Sequence, residues 1–207
     1  EPALLRWELD HWTEWRVEAQ LNTTLTTEQR NVLDVAFNGL VQAIDTQPTR
    51  LVHRDFQSTN LMATGSGPEL TLIDYQDALV GPWAYDLVAL LRDSYVDLSA
   101  EKVDEFVQQY IHALMAAGLA SPSNIQRSLE YAFTRDFHRQ VLQRKLKDAG
   151  RFVYIDRVKK NPWYLQYVER TMRFVNESLR WLENDATTPY IAELAIILRE
   201  LDPESFS

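Results

Sequence analysis

Residues 51–62 read LVHRDFQSTNLM, a polar cluster enclosed by the apolar pairs Leu51-Val52 and Leu61-Met62. We expect both pairs to lie in a core, so that they fix the ends of a loop whose middle, residues 53–60, faces a ligand. The loop contains the triplet His-Arg-Asp and an asparagine five residues beyond the aspartate. The stretch is therefore predicted to form a functional site.

A β-hairpin is predicted directly after this loop. The short apolar runs LMAT and LTLI flank GSGPE at 65–69, which is typical of a hairpin with a five-residue loop. If 61–64 pair with 73–70, Asn60 and Asp74 lie opposite each other at the open end, about 5 Å apart at Cα. The hairpin would thus bring an amide oxygen next to a carboxylate.

These oxygen-bearing side chains predict a particular chemistry. Mg²⁺ prefers oxygen ligands, keeps several waters and is usually held by few protein side chains together with substrate phosphates. Asn60 and Asp74 would supply such ligands. Asp55, in the same loop as Asn60, could accept a proton from an attacking hydroxyl and orient it. The predicted reaction class is phosphoryl transfer.

Outside residues 50–80 the chain is predicted to be almost entirely α-helical. A capping box at Thr26 and apolar residues at helical spacing predict a helix over residues 27–45. A less regular helix over 4–21 carries Trp7, Trp12 and Trp15, which we expect to pack in the core. Further helices are predicted at 99–117 with Gly118 as C-cap, at 122–149 ending at Gly150, at 162–184 and near 190–201.

The predicted fold class is mainly α (α+β), a helical bundle with a small β-hairpin that carries the metal site. No linker rich in glycine, proline or serine divides the chain, so a single lobe is expected over 1–207. Within it, we expect 1–49 to form a helical entry segment, 50–95 the catalytic and metal-binding core, and 96–207 a helical subdomain on the acceptor side.

Composition narrows the possible partners. Lys plus Arg number 21 against 30 for Asp plus Glu, a net charge of −9, whereas a duplex nucleic-acid surface needs clustered cations. The basic stretches 139–147 and 159–160 are interpreted as solvated helix faces. The chain has no cysteine, and no apolar run approaches the roughly 20 residues of a membrane span. We expect a cytoplasmic protein with neither a nucleic-acid nor a membrane partner.

The motifs resemble those of a known superfamily. His53-Arg54-Asp55 followed by Asn60 has the spacing of a kinase catalytic loop, and Ile73-Asp74-Tyr75 stands where kinases carry the metal-binding Asp-Phe-Gly. The run IDYQDALVGPWAYDLVALLRD at 73–93 is similar to the aminoglycoside phosphotransferase and choline kinase superfamily, which has the protein-kinase fold. Within it, the chain most resembles bacterial sugar kinases that phosphorylate the anomeric hydroxyl of N-acetylmuramate and N-acetylglucosamine.

This resemblance implies ATP and Mg²⁺ as cofactors and a role for each candidate residue. Asp55 is the catalytic base, and Asn60 and Asp74 hold the metal and the nucleotide. His53 and Asp86 support the structure of the loop, Asp86 by accepting hydrogen bonds from its backbone. The possible contacts with substrate, or with the residues that touch it, are Arg54, Gln76, Asp77 and Arg92. For Arg92 with Asp93 a surface ion pair is the preferred interpretation, and for Tyr75 and Trp83 packing is preferred over lining a pocket.

The resemblance also implies a nucleotide lobe that these 207 residues do not contain. The first lysine is Lys102, and the glycines, at 39, 65, 67, 81, 118 and 150, form no phosphate-binding loop. The chain is interpreted as the C-terminal lobe of a longer kinase that acts on a sugar or amino sugar, and by itself it should bind ATP poorly. The alternatives are an aminoglycoside antibiotic kinase and a non-catalytic, kinase-derived helical interaction module.

Overall fold

The computed structural model describes residues 2–65, 67, 69–119, 126–185 and 187–206, with backbone alone at 126–128. The described chain is mainly helical with small antiparallel sheets, which confirms the predicted mainly α class. Its α-helices are α1 Pro2–His11, α2 Thr27–Asp45, α3 Tyr85–Leu91, α4 Ala100–Ala116, α5 Gln126–Lys159, α6 Val168–Leu182 and α7 Tyr190–Leu201. Its strands are β1 Thr49–Val52, β2 Leu61–Ala63, β3 Leu70–Leu72 and β4 Leu79–Pro82.

Contacts divide the chain into two compact units. The helical unit comprises Glu1–Thr46 and His138–Ser207, and the sheet unit comprises Gln47–Phe137. Residues 96–137 therefore group with the predicted catalytic core rather than with the helices that follow. The single lobe and its three segments stay a prediction.

In the helical unit, α2 begins and ends where its sequence predicts. The Thr26 hydroxyl accepts from the Gln29 amide at 3.1 Å, and the Thr26 amide donates to the Gln29 side chain at 2.8 Å, which completes the predicted capping box. The buried side of the helix is an apolar stripe at helical spacing. Its members are Leu33, Ala36, Phe37, Leu40, Val41 and Ile44.

The irregular helix predicted at 4–21 consists of α1 and a π-helical segment, Trp12–Gln20. Trp12 is completely buried, as predicted, whereas the expectation for Trp7 is wrong because 56% of its surface is exposed. Trp7 lies one helical turn before His11, and the two rings meet edge to face with centroids 4.2 Å apart. Its aromatic contact is therefore made along the surface of its own helix.

Gly150 does not end a helix, contrary to the prediction, because α5 continues to Lys159. A Cβ on Gly150 would lie 2.3 Å from the carbonyl oxygen of His11 and 2.7 Å from the amide nitrogen of Trp12. The glycine therefore allows α5 to pack directly against the backbone that joins α1 to the π-helical segment. The predicted start at residue 122 lies outside the described residues.

The basic stretch of α5 is buried rather than solvated, which makes the interpretation of 139–147 wrong for several members. Arg144 and Lys145 each expose 1% of their surface. The Lys145 ammonium donates to Asp148 Oδ2 at 2.7 Å, one helical turn further on. Burial of these charges is possible because carboxylates and amides of the same unit are buried with them.

The remaining helices follow their predictions with one change. Helix α4 has Ser99 as its N-cap, and Gly118 follows its end with φ +69°, the left-handed conformation that favours glycine. The helix predicted at 162–184 is a 3-10 helix, Pro162–Tyr167, followed by α6. Helix α7 occupies the predicted residues. No helix in the described part of the chain has the length and apolarity of a membrane span.

The sheet unit contains two strand pairs, of which one was predicted. Strands β2 and β3 form the predicted hairpin, but Leu61 pairs with Leu72 and Ala63 with Leu70, so the register differs by one residue from the prediction. Asn60 consequently lies opposite Ile73 rather than Asp74. Thr64 donates its amide to Glu69, which shortens the predicted five-residue loop; residues 66 and 68 of that loop lie outside the described residues.

The other pair, β1 with β4, was missed by the sequence prediction. The strands are antiparallel, with Thr49 opposite Pro82 and Val52 opposite Leu79. Both are four residues long and their partners are far apart in sequence, so local alternation gives little signal. Strand β1 leads into the polar stretch and β2 leaves it, so strands rather than loop residues fix both of its ends.

Candidate active site

The polar stretch 53–60, called the catalytic stretch after the role predicted for it, is held between β1 and β2 and ends in a 3-10 turn, Ser58–Asn60. The expectation that its apolar flanks are wholly buried is wrong. Val52 is buried, but Leu51 is 77% exposed and Met62 is 46% exposed. Because side chains alternate along a strand, neighbouring residues cannot all face the same core.

Asp86, in the first turn of α3, holds the beginning of the catalytic stretch. Its Oδ2 accepts from the His53 amide at 2.6 Å, and its Oδ1 accepts from the Arg54 amide at 3.0 Å. Arg54 has φ +75°, a conformation that costs energy in any residue with a side chain. The two bonds fix the backbone immediately before Asp55, and they are the kind of contact that the family resemblance implies for Asp86.

His53 connects the catalytic stretch to the end of the hairpin. Its side chain is buried, and Nε2 lies 2.9 Å from the Ile73 carbonyl oxygen. Since a carbonyl can only accept, Nε2 carries the proton in this contact. The ring also meets Phe56 edge to face, with centroids 6.1 Å apart. These contacts suit a supporting side chain rather than a base that exchanges protons with a substrate.

Asn60 is bonded to Asp55 on one side and to the hairpin on the other. Its Nδ2 donates to the Asp55 carbonyl at 2.8 Å, and its carbonyl accepts from the Ile73 amide at 3.1 Å. Because the amide nitrogen is engaged inside the stretch, the side-chain oxygen is the atom that Asn60 can offer to a cation. These bonds tie Asn60 to Asp55 and to the residue that precedes Asp74.

Asp74 lies two residues after the end of β3 and has a left-handed backbone, with φ +68°. Its Oδ1 accepts from Gln76 Nε2 at 2.7 Å. Non-glycine residues in this region are uncommon and concentrate at functional sites. In the observed register Ile73 lies opposite Asn60, and the left-handed Asp74 comes directly after it. Asp74 therefore lies beyond the ladder rather than at a regular position opposite Asn60.

The other candidates have different surroundings. Gln76 contacts Asp74, and Asp77 is exposed. Tyr75 is 70% exposed, so packing in the core is the wrong interpretation for this residue. Trp83 is buried and its indole N–H donates to Asp136 Oδ2 at 3.0 Å, so packing is the correct interpretation for this residue. Arg92 is also buried, with 3% of its surface exposed.

The surface ion pair expected of Arg92 and Asp93 is wrong, because Asp93 exposes only 2% of its surface. Its Oδ2 accepts from both the amide and the hydroxyl of Ser58, at 3.0 and 2.6 Å, and Oδ1 accepts from the Tyr95 amide at 3.0 Å. The bond to Tyr95 is a local turn typical of aspartate. The contact with Ser58 joins residues 35 positions apart, and no local pattern reveals it.

The donor set fits a cation that brings most of its own ligands. Among the described residues, no three or more of His, Cys, Asp and Glu are grouped so that they could hold a metal ion. Asn60 offers an amide oxygen and Asp74 a carboxylate, and both side chains reach solvent at least in part. This small all-oxygen set is the kind that Mg²⁺ uses when waters and phosphate oxygens complete its coordination.

Fold and site together describe a mainly helical chain in which strands and helix α3 hold a short polar stretch that carries oxygen-bearing side chains. Residues 1–122, more than half of the chain, match the phosphotransferase enzyme family. The chain belongs to this family, and the superfamily resemblance seen in its motifs is confirmed.

Curated relatives extend the similarity to the rest of the chain. A protein of Pseudomonas putida is 32% identical over 201 residues, which are 97% of this chain and 56% of that protein. One of Neisseria meningitidis is 37% identical over 173 residues, or 80% and 50%. One of Pseudomonas aeruginosa is 30% identical over 205 residues, or 97% and 56%. Each is named N-acetylmuramate/N-acetylglucosamine kinase, and the chain spans about half of their length.

Proposed function

We propose that the protein to which this chain belongs transfers the γ-phosphate of ATP to a hydroxyl group of a sugar or amino sugar. The observation that carries the proposal is the bonding of Asn60 to the Asp55 carbonyl and to the Ile73 amide. These bonds connect Asp55, whose carboxylate can act as a base, with Asn60, which offers one oxygen ligand. They also connect both with Ile73, the residue before Asp74, which offers the other. The names of the relatives support a sugar as the acceptor.

Asp55 acts as the base in this proposal. Its side chain is exposed, so an acceptor hydroxyl can approach it. Its carbonyl accepts from Asn60 Nδ2, and the Arg54 amide just before it donates to Asp86, so the backbone is held on both sides. As the hydroxyl oxygen forms its bond to phosphorus, its proton passes to the Asp55 carboxylate and the bond from phosphorus to the ADP oxygen breaks. Asp55 also orients the hydroxyl for in-line attack.

Asn60 and Asp74 hold the cation and, through it, the nucleotide. Bound Mg²⁺ would offset negative charge on the phosphate oxygens. Gln76 keeps the Asp74 carboxylate in place through Oδ1. His53 fixes the end of the hairpin relative to the catalytic stretch through the Ile73 carbonyl. Arg54, Asp77 and Arg92 are left as possible contacts with the acceptor or with the residues around it.

The test uses the full-length protein with ATP and Mg²⁺ and four acceptors: N-acetylglucosamine, N-acetylmuramate, kanamycin and choline. We expect transfer to the two amino sugars. Asp55→Asn should lower kcat by at least about 100-fold, because the base is lost while the fold is kept. Transfer to kanamycin alone would favour the antibiotic kinase instead. Turnover that survives Asp55→Asn would contradict the mechanism.

A further inference from the structure

Asp93 is a buried carboxylate to which the proposed mechanism gives no role. It follows α3 directly, and three donors converge on it: the Ser58 amide, the Ser58 hydroxyl and the Tyr95 amide. With 2% of its surface exposed, it cannot exchange these partners freely for water. A carboxylate is buried at such cost only where charge-assisted hydrogen bonds offset the loss of solvation.

The position of Ser58 gives this contact its meaning. Ser58 lies between Asp55 and Asn60, and the intervening backbone is a chain of short turns. The Gln57 amide donates to the Asp55 carbonyl at 2.9 Å, and the Asn60 amide donates to the Gln57 carbonyl at 3.0 Å. A displacement of Ser58 would therefore change the relative placement of Asp55 and Asn60.

Helix α3 and the turn that follows it supply one carboxylate to each half of the catalytic stretch. Asp86, in its first turn, holds the amides of residues 53 and 54. Asp93, just beyond its last turn, holds residue 58 through two bonds. The backbone of Asp55 thus lies between two fixed points that belong to the same rigid helix and the turn that follows it.

We propose that Asp93 is a positioning residue that acts through Ser58 and fixes the spacing between Asp55 and Asn60. The proposal rests on the proposed function, since it assigns Asp93 to the placement of the base relative to a cation ligand. Asp93 itself contacts neither substrate nor cation. Its removal should therefore slow the chemical step without weakening the binding of either substrate.

Kinetics of the full-length protein with N-acetylglucosamine as acceptor provide the first test. We expect Asp93→Ala to lower kcat by about 100-fold and to change the KM for ATP and for the acceptor by no more than about twofold. Asp93→Asn should recover part of the loss, because an amide oxygen can still accept from Ser58. A raised KM with an unchanged kcat would overturn the proposal.

A matched control separates positioning from stability. Asp136 is also a buried carboxylate of the sheet unit, but it accepts from the Trp83 indole. Asp136→Ala should lower the Tm while leaving kcat near the wild-type value below that Tm.

If Asp93→Ala proves too unstable to purify, Ser58→Ala removes one of the two bonds between Ser58 and Asp93. It should lower kcat by about 3- to 10-fold, whereas Ser58→Thr should restore kcat. Equal kcat values for Ser58→Ala and wild type would contradict the proposal.

Hydrogen exchange gives a readout that does not depend on the acceptor. In Asp93→Ala the Ser58 amide loses its acceptor, so exchange at residues 55–60 should accelerate by about tenfold or more, whereas Asp136→Ala should not accelerate it. Unchanged exchange there would overturn the positioning role even if the protein is a sugar kinase. If the wild-type protein phosphorylated none of the acceptors, the proposed function would be overturned. If exchange at residues 55–60 were still faster in Asp93→Ala than in wild type, the role of Asp93 in holding Ser58 would stand.

Discussion

Two residues of the candidate site have left-handed backbone although neither is glycine. Arg54 has φ +75° and Asp74 has φ +68°. For residues with a Cβ this conformation costs about 1–2 kcal/mol, so surrounding contacts must impose it. At Arg54 the contact is visible, because its amide donates to Asp86 immediately before Asp55. The energetic cost of the left-handed backbone at Arg54 can therefore be measured by substitution.

The strain at Arg54 predicts an unusual order of stability between two variants. Arg54→Gly and Arg54→Ala both lose the side chain, but only alanine keeps the steric penalty. We expect the glycine variant to be more stable by about 1 kcal/mol in urea unfolding. Arg50, in strand β1, is the control, because glycine in a strand should be less stable than alanine by about 0.5–1 kcal/mol. The same order at both positions would contradict an imposed left-handed backbone.

A second residue-scale prediction concerns the end of α5. Lys160 follows the last residue of this helix with φ +55°, the position where glycine is preferred. Lys160→Gly should therefore raise the free energy of unfolding by about 0.5–1 kcal/mol. Lys159→Gly, one residue earlier and inside the helix, should lower it by about 1 kcal/mol. Thermal unfolding of both variants measures the difference.

Among the elements, α5 depends on the single glycine that faces another stretch of backbone. Gly150→Ala would place a methyl group 2.3 Å from the His11 carbonyl oxygen, and backbone on both sides leaves little room to move. We expect a loss of about 3 kcal/mol in the free energy of unfolding. Gly39→Ala is the control: its nearest neighbour is the Tyr190 ring at 2.7 Å, which can rotate or shift, so the loss should be smaller. Equal losses would show that α5 adjusts freely.

The buried pair Lys145 and Asp148, both in α5, makes the stability of the fold depend on pH. Burial raises the pKa of Asp148, but the cationic Lys145, Lys147 and Arg144 more than offset this, so that pKa lies well below its usual range. Burial lowers the pKa of Lys145, and Asp148 opposes the change. Because the pKa of Asp148 is lower in the folded than in the unfolded chain, its ionisation stabilises the fold above about pH 4, and this contribution is lost as the pH falls further.

Asp148→Asn tests this dependence. At pH 7 the variant should lose about 3 kcal/mol, because the buried Lys145 ammonium loses the ionised group that lies 2.7 Å away. The gap from wild type in urea unfolding should narrow as the pH falls below about 4. Replacing both residues, Lys145→Met with Asp148→Leu, should restore part of the loss, since the buried ammonium is then removed together with the carboxylate. A gap that stays constant from pH 3 to 8 would show that the charge of Asp148 does not matter.

Elements whose signals are local could be predicted from the sequence, and long-range contacts could not. Helix α2 was predicted to the residue because its capping box and apolar stripe are contained within it. Strand β1 was missed because its partner, β4, is about 30 residues away. The hairpin was expected, but its register changed by one residue, which no short apolar run determines.

At the candidate site the same limit applies to each residue. Asp55, Asn60 and Asp74 could be predicted as site residues because the spacing of a motif is a property of the sequence. The support from Asp93 was not, since an acid after a helix is usually a solvated residue and its partner lies 35 positions earlier. Gly150 was taken as a helix end because glycine often has that role, whereas here it allows a close approach of two backbones.

For the whole molecule, the two units suggest different roles. The sheet unit contains all candidate site residues, whereas the apolar core to which α1, α2, α5, α6 and α7 contribute belongs to the helical unit. Substitutions in that core should therefore act on stability before they act on chemistry. The family match covers residues 1–122, which include the first part of the helical unit and most of the sheet unit.

The 207-residue chain on its own is expected to bind ATP poorly and to transfer little or no phosphate. Asn60 and Asp74 offer two oxygen ligands, but phosphate binding in kinases also uses a glycine-rich loop and a lysine. No such loop occurs among these residues, and the first lysine is Lys102, within α4. Calorimetry with ATP and Mg²⁺ should therefore show much weaker binding to this chain than to the full-length protein. In the full-length protein, Asp74→Ala should abolish the dependence of ATP affinity on Mg²⁺, whereas Asp77→Ala should not. Rapid transfer by the 207-residue chain alone would contradict this division of the nucleotide site.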